Sequence, residues 1–321
     1  ASVSTLTRPS QPMVCRLSVV AAIGLVLSAG LFVGCTRPST SSETAPAPIT
    51  APAYLTADVW DDGQAEVAFY RVERTRDQYG RANAQQFVAG TYLVKHRFSP
   101  TDMAKVTDGT GVSSFKYALF YELESGSYQY KRNWVVNARQ KDLRPFKQSF
   151  TSFDWCSNRY RELAFPPGGP VEVRTRSDDY GNRRASFSQR PNTYPPAQLP
   201  LLIRGLDFGA TDTLSFSVPV ADSSAHVSAR AVRAGGETVE TGAGAYDTDR
   251  IVVRYEAPVP SPIAEESDTT EIYWRGTGPE RLLVQMRAGE GRYRMALVEH
   301  LRTPYWEENL WPRLARIEER P

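Results

Sequence analysis

The chain of 321 residues carries 38 Lys or Arg and 36 Asp or Glu, a formal net charge of +2 at pH 7. Two of the basic residues, Arg8 and Arg16, precede Cys35, and the rest of the chain has 36 charged residues of each sign. A chain without net positive charge has no general attraction for nucleic acid, so we expect no nucleic-acid partner.

An uncharged, mostly apolar run occupies residues 17–34, directly after Arg16. A positive charge followed by such a run and then by small residues is typical of a signal peptide, which we assign to residues 1–34. Met13 would be a normal start for this signal, so we expect it to be the initiator. A run of 18 residues is also at the lower limit for a membrane-spanning helix, and an uncleaved anchor is the alternative.

The end of the apolar run resembles the lipobox of bacterial lipoproteins, in the residues Leu31-Phe32-Val33-Gly34-Cys35. The resemblance implies that Cys35 receives a diacylglyceryl group, becomes the first residue after cleavage and anchors the protein. Because two or more acyl chains hold a protein almost permanently, we expect attachment to a membrane without spanning. By analogy with sorting in other bacteria, Thr36 in place of Asp favours the outer membrane, with the protein facing the periplasm.

Residues 36–53 are rich in Pro, Ser, Thr and Ala and have almost no large apolar side chain. Such a segment cannot bury enough apolar surface to fold. We therefore predict a flexible tether over residues 35–53, which includes the lipidated cysteine.

Along residues 54–190 apolar and polar side chains alternate with period two, which predicts a first antiparallel β module. The clearest hairpin turns at residues 124–127, and one face carries these large side chains: Phe115, Tyr117, Leu119, Tyr121 and Leu123 before the turn, and Tyr128, Tyr130 and Trp134 after it. A second hairpin turns at residues 179–182. Cys156 would have no disulfide partner after cleavage, so we expect a buried thiol, with a reactive or intermolecular thiol as the alternative.

Residues 191–321 predict a second antiparallel module. Apolar and polar residues alternate along residues 213–220, as in a strand that is covered on one side. A hairpin is predicted around residues 288–291. The helical spacing of Leu199, Leu202, Ile203 and Leu206 predicts a short helix near residues 197–206. Residues 304–319 are a weaker helix candidate, interrupted by Pro312. The fold class is therefore mainly β, built from hairpins or a meander, with one or two short helices.

The first half resembles an uncharacterised family of bacterial envelope lipoproteins found among the Bacteroidota, in residues 67–100, 124–136 and 146–163. The shared motifs are a Tyr-Gly turn, a Gly-x-Tyr-x-Tyr strand and a Trp-Cys pair. Residues 199–220 and 272–286 are similar to periplasmic proteins of a domain-of-unknown-function class. The resemblance implies extended, curved antiparallel sheets and an envelope location, and it implies no particular activity.

A basic stretch, residues 131–147, contains six Lys or Arg and one Asp and lies beside aromatic residues. Together they predict a face for anionic lipid or an anionic glycan, formed by Tyr128, Tyr130, Trp134, Arg139, Lys141 and Arg144. Arginines of the following hairpin would extend this face: Arg174, Arg176, Arg183 and Arg184. The alternative is a solvated sheet face whose arginines pair with acidic residues elsewhere.

We expect no cofactor, no metal and no identifiable catalytic residue. The three histidines, His96, His226 and His300, lie too far apart in sequence to form a ligand motif. Asp247 and Asp249 could share one strand face, but such a pair beside Arg250 is more often part of a turn. Motifs for nucleophilic hydrolases, zinc proteases and phosphate loops are absent from the sequence.

Two classes of function follow from these features. The favoured one is a non-enzymatic binding or assembly protein of the envelope, anchored through Cys35, whose partner is an apolar ligand, a glycan, an anionic lipid or an envelope protein. The alternative is a periplasmic hydrolase that uses carboxylates which the sequence alone does not pair. A cavity without converging carboxylates would favour the first class.

Overall fold

The structure is a computed structural model that describes residues 49–318 apart from residues 79, 126, 127, 156, 263, 265 and 266. The predicted signal peptide, the start at Met13, lipidation at Cys35 and residues 35–48 of the predicted tether lie outside the described residues. The predicted burial of Cys156 lies outside them too. The prediction of a tether is wrong for residues 49–53, because Ile49 and Ala51 are buried and a short helix begins at Pro52.

Strands dominate the described residues. They are β1 Ala65–Gln78, β2 Arg81–Ser99, β3 Ala104–Val106, β4 Val112–Ser125, β5 Tyr128–Arg139, β6 Pro145–Asp154, β7 Asn158–Ala164, β8 Val171–Ser177, β9 Arg183–Phe187, β10 Thr213–Val220, β11 Ala225–Thr241, β12 Gly244–Pro260, β13 Ser267–Gly276, β14 Leu283–Ala288 and β15 Tyr293–Thr303. The α-helices are α1 Pro52–Leu55, α2 Leu199–Gly205 and α3 Trp311–Glu318. None of the helices in the described part of the chain combines the length and the apolar composition that crossing a bilayer requires.

All of these strands belong to one antiparallel sheet. Its order runs from β10 to β15, continues through β1, β2 and β4, and ends at β9, with β3 paired to β2. The range 54–190 supplies β1 to β9 and the range 191–321 supplies β10 to β15, and the two are joined where β1 pairs with β15. The predicted boundary near residue 190 falls on the connection between the two edge strands. The predicted fold class, mainly antiparallel β with a few short helices, is confirmed.

The hairpin patterns in the sequence correspond to real strand pairs. In β4 the five large residues predicted on one face, Phe115 to Leu123, are all buried, because alternate side chains of a strand point to the same side. The turns predicted around residues 179–182 and 288–291 join β8 to β9 and β14 to β15. The terminal helix begins at Trp311, so Pro312 lies in its first turn, where proline is tolerated and does not interrupt the helix.

The sheet curls until its two edges approach each other, and α2 lies inside the curl. Every residue of α2 is buried, and the chain that leads to it crosses from β9 to β10. On the way, the Tyr194 amide donates to the Ser217 carbonyl at 2.9 Å, and the Ser217 amide donates to the Asn192 carbonyl at 2.9 Å. The segment after β9 therefore bonds to β10 and occupies the gap between the edges.

One end of the curled sheet is closed by residues 49–61 and the carboxyl end of α2. The Ala51 amide donates to the Gly205 carbonyl at 2.8 Å, and Glu66 and Arg204 form a buried bidentate ion pair at 2.6 and 2.8 Å. Burial by itself would raise the pKa of the Glu66 carboxyl, but the adjacent Arg204 guanidinium lowers that pKa to about 2. Strands β1, β4, β6, β8, β10, β12 and β14 run toward the opposite end of the sheet, which we call the open end.

Part of the outer surface of the sheet is covered by α3 and the chain before it. These residues pack on a second apolar cluster that includes Val67, Phe69 and Val88. Gly90 lies in the same region, and a Cβ atom there would come within 2.4 Å of the Phe120 ring. The glycine therefore makes room for an aromatic side chain on the neighbouring strand.

Candidate functional site

A cavity of about 560 Å³ lies inside the sheet at the open end. This volume is in the range of sites for small ligands, about 300 to 1,000 Å³. Its walls come from β1, β2, β4, β5, β6, β7 and β10 and from the turns after β8, β10 and β12. Pro196 and Ala197, just before α2, also line it. We call it the arginine cavity because its lining includes Arg74, Arg76, Arg132, Arg159 and Arg161.

Strand register arranges the lining of the arginine cavity in rows. Trp134, Phe150 and Arg161 are cross-strand neighbours on β5, β6 and β7. The next row toward the open end is Arg132, Ser152 and Arg159. Because side chains two residues apart point to the same side of a strand, both rows face the interior. The polar row therefore lies between solvent and the row that contains the two aromatic rings.

The aromatic rings form a continuous band on the inner wall. Ring centroids are 4.6 Å apart for Phe87 and Tyr121, 5.6 Å for Tyr121 and Trp134, and 4.7 Å for Trp134 and Phe150. Spacings of 4.5 to 7 Å are the favourable range for aromatic pairs. Trp134 and Phe150 bring this band into the cavity itself.

Two of the cavity arginines are held by carboxylates. Arg161 donates to both carboxylate oxygens of Asp222 at 3.1 and 2.7 Å, which ties β7 to the turn after β10. Arg132 donates to Ser152 Oγ at 2.6 Å and pairs with Asp154. These partners orient the guanidinium groups across the cavity and fix the position of their remaining N–H donors.

Three of the cavity arginines lie over aromatic rings. The distance from the guanidinium carbon to the ring centroid is 5.2 Å for Arg74 over Phe87, 5.2 Å for Arg132 over Tyr130 and 4.4 Å for Arg159 over Tyr180. Stacking leaves the edge of a guanidinium available for hydrogen bonds in its own plane. The Nε atoms of Arg159 and Arg161 have no hydrogen-bond partner among the described residues.

The arginine cavity is positively charged within the described part of its lining. Its charged residues there are the five arginines and two aspartates, Asp77 and Asp222. Asp154, which pairs with Arg132, and Asp179, 4.0 Å from Arg159, are not part of the lining. An anionic group inside would meet guanidinium groups on several sides, which favours its binding.

The structure divides the predicted aromatic–basic face. Tyr130 and Trp134 line the arginine cavity, and Tyr128 is exposed at the open end. Arg139 lies about 30 Å along β5 from Tyr130, since a strand rises about 3.3 Å per residue, and it pairs with Asp142. Lys141 and Arg144 are exposed beyond that end of β5. The six residues therefore do not form a single surface, because they span the full length of β5 and both of its faces.

Sequence reasoning missed four of the cavity arginines. Arg74 and Arg76 continue the inward-facing series of β1 after Tyr70 and Val72, while Arg159 and Arg161 belong to β7. The signal in the sequence was a pair of arginines at alternate positions near the end of a strand, on the face that is buried elsewhere in that strand. That signal could not indicate which strands would converge.

One buried carboxyl lies apart from the cavity lining. Glu271 accepts hydrogen bonds from the Tyr255 and Tyr273 hydroxyls, and burial raises the pKa of its carboxyl. Among the described lining residues the carboxylates are Asp77 and Asp222, and Arg161 occupies both oxygens of Asp222. No specific observation therefore favours the hydrolase alternative.

The predicted histidine and aspartate candidates are dispersed. His96 lies on β2, His226 bonds to the Ser188 carbonyl at 2.8 Å, and His300 is 3.8 Å from the Glu66 carboxylate. Asp247 accepts from Thr238, and Asp249 pairs with Arg275. No group of three or more His, Cys, Asp or Glu suited to a metal ion occurs among the described residues.

Comparisons with known proteins show distant similarity. No protein-family model matches the chain, and no curated protein matches it. A beta-barrel-like protein of the domain of unknown function DUF1849 from Brucella abortus has 9% identity and a TM-score of 0.45, over 74% of this chain and 97% of that chain. A candidate exported protein with a YmcC-like fold from Bacteroides fragilis has 10% identity and a TM-score of 0.23, over 74% of this chain and 95% of that chain. The resemblance to a domain-of-unknown-function class and the membership of a lipoprotein family both stay predictions.

Proposed function

We propose that the protein is a non-enzymatic binding module of the bacterial envelope that takes an anionic amphiphile into the arginine cavity. The observation that carries the proposal is the convergence of five arginines and an aromatic band in one cavity at the open end. The ligand class is an anionic lipid or a molecule with the same chemistry, a phosphate or carboxylate joined to an apolar portion.

The order of the two rows supports an amphiphile. Guanidinium groups bind phosphate and carboxylate through paired N–H donors, so the anionic group would bind at the row of Arg132 and Arg159. The apolar portion would contact Trp134, Phe150 and Leu163, which lie along the inner wall below that row. Removing about 100 Å² of apolar surface from water would contribute roughly 2.5 kcal/mol.

The anchor and the location belong to the same proposal. A lipid group on Cys35 would hold the module at a membrane, and residues 35–48 of the predicted tether would let it reach ligands there. The proposed location is the outer membrane, with the protein facing the periplasm. Cys35→Ser should abolish incorporation of labelled fatty acid and leave unprocessed precursor. Label in the Cys35→Ser chain would refute lipidation at this residue.

Binding can be measured by calorimetric titration of the full chain with dihexanoylphosphatidylglycerol below its micelle concentration. The double variant Arg159→Gln/Arg161→Gln should bind about ten- to hundredfold more weakly, because hydrogen bonds to charged groups contribute about 1.5 to 3 kcal/mol. The matched control is Arg233→Gln, which removes another exposed Arg–Asp pair, with Asp212, outside the cavity. Arg233→Gln should bind like the unmodified chain.

Two further ligands distinguish the source of the affinity. Glycerol 3-phosphate presents the anionic group alone, and dihexanoylphosphatidylcholine presents a phosphate next to a cationic group. The amphiphile proposal expects the phosphatidylglycerol to bind more tightly than either. Equal affinities for the unmodified chain and the double variant would refute the role of the cavity.

A further inference from the structure

The large apolar side chains that remain exposed are concentrated at the open end. Among the described residues six such side chains are exposed, and five of them belong to β5, β6, β7 and the turns after β6 and β8: Tyr128, Phe153, Trp155, Tyr160 and Tyr180. Trp155 is 72% exposed and Phe153 is 60% exposed. We call these five residues the aromatic rim. Clusters of exposed apolar residues mark sites of interaction with proteins or membranes.

Ring contacts and a hydrogen bond hold residues of the aromatic rim in place. The rings of Tyr128 and Trp155 meet edge to face at 6.4 Å, so the first residue of β5 contacts the residue that follows β6. Tyr180 is held under Arg159, and the Tyr160 hydroxyl donates to Glu162 at 2.6 Å. The rim is therefore a defined surface on adjacent hairpins.

Exposed arginines lie directly beside the aromatic rim. Arg176 is the ladder neighbour of Tyr160, and Arg184 follows on β9 opposite Arg174. Arg176 and Arg184 are exposed and form no ion pair with any described residue. Among the nearby carboxylates, Glu172 pairs with Arg174, whereas Asp178 accepts a hydrogen bond from the neutral Asn158 amide and keeps its negative charge. With Arg176 and Arg184 against Asp178, the surface beside the rim has an excess of positive charge.

We infer that the aromatic rim, with Arg176 and Arg184, docks on a bilayer surface that contains anionic lipid. Tryptophan and tyrosine favour the interface between lipid head groups and acyl chains, since one part of each ring system is apolar and the other is polar. Each basic residue near an anionic surface strengthens attraction about fivefold. Charge complementarity therefore favours a bilayer over a second copy of this chain, which would present the same positive charge.

Docking at the rim would place the mouth of the arginine cavity against the head groups, because Tyr180 belongs to both the rim and the cavity lining. This consequence rests on the proposed function, whereas the docking itself does not. A tether of the predicted kind would allow an anchored module to turn its open end toward a membrane.

The test uses the full chain bound to vesicles of brominated phosphatidylglycerol, whose bromine atoms quench tryptophan emission at short range. Whatever residues 1–48 contribute to binding is common to every variant. Trp155→Phe should lose most of the quenching. The matched control is Trp306→Phe, which removes a tryptophan that is 52% exposed in the chain before α3. Trp306→Phe should retain the quenching.

The electrostatic part is tested with Arg176→Gln/Arg184→Gln, which retains Trp155. Its ratio of docked to undocked protein should fall roughly thirtyfold, and the remaining quenching should depend little on salt. Vesicles of brominated phosphatidylcholine should quench the unmodified chain weakly. Equal quenching of the unmodified chain and Trp155→Phe would overturn the inference, as would self-association of the chain that is lost in Trp155→Phe while quenching is unchanged.

The two proposals can fail separately. If Trp155→Phe loses the quenching but still binds short-chain phosphatidylglycerol normally, the rim acts in docking and not in binding to the cavity. Arg161→Gln alone, which keeps the stack of Arg159 on Tyr180, should weaken binding of the cavity ligand and leave the quenching of Trp155 in place.

Discussion

Arg161 of β7 and Asp222 of the turn after β10 form a bidentate ion pair, with N–O distances of 3.1 and 2.7 Å, across the two edges of the curled sheet. The same guanidinium lines the arginine cavity. One contact therefore helps to hold the edges together and determines how much of the Arg161 charge a ligand would meet.

Asp222→Asn should increase affinity for dihexanoylphosphatidylglycerol, because it removes a carboxylate that competes with an anionic ligand for Arg161. The cost in free energy of unfolding should be below about 1 kcal/mol, since Asp222 is largely exposed. Calorimetric titration and urea unfolding measure the two effects. Asp212→Asn, which disrupts the exposed pair with Arg233, should leave the affinity unchanged. Weaker binding by Asp222→Asn would contradict the assigned role of Arg161.

Glu66→Gln should lower the free energy of unfolding by about 3 to 5 kcal/mol, because it leaves the buried Arg204 guanidinium without its counter-charge. The urea midpoint of the full chain measures this change. Glu172→Gln provides the comparison, since it removes a carboxylate from an exposed pair with Arg174 and should change stability by less than about 0.5 kcal/mol. Similar losses in the two variants would show that the Glu66–Arg204 pair does not stabilise the closed end.

Stability should fall as the pH drops from about 6.5 to 4 because of His96. Burial, assisted by Lys116 and Lys105, lowers the pKa of the His96 imidazole to about 4. The unfolded chain therefore binds a proton in this window before the folded chain does, and protonation favours unfolding. The difference in free energy of unfolding between the unmodified chain and His96→Gln should change over this window and level off above it. A constant difference between pH 4 and 7 would mean that His96 titrates normally.

Gly90→Ala should destabilise the protein by about 1 to 3 kcal/mol, because the new methyl group would overlap the Phe120 ring. Thermal or urea unfolding detects this change. Gly278→Ala is the matched substitution, since nothing lies within 4 Å of its Cβ position. The double variant Gly90→Ala/Phe120→Ala should lose less stability than the two single losses combined. Simple additivity would indicate that the ring and the methyl group do not meet.

Local patterns in the sequence were sufficient to predict individual strands, hairpins and α2. The alternation from Phe115 to Leu123 predicts a strand with one buried face, because side chains of a strand point alternately to its two sides. The spacing of Leu199, Leu202 and Ile203 predicts a helix for a similarly local reason. The prediction that Pro312 interrupts the terminal helix was wrong, because the helix begins at Trp311 and proline is tolerated in a first turn.

The site depended on contacts between residues distant in the chain. Arg161 meets Asp222 only because the sheet curls, and Arg204 meets Glu66 only because α2 lies inside it. The predicted face joined Tyr130 to Arg139 along one strand, whereas the cavity joins Tyr130 to arginines of β1 and β7. Periodicity along a strand determines which side a residue faces. Strand order, register and curvature decide what it faces there, and these follow from the packing of the whole sheet.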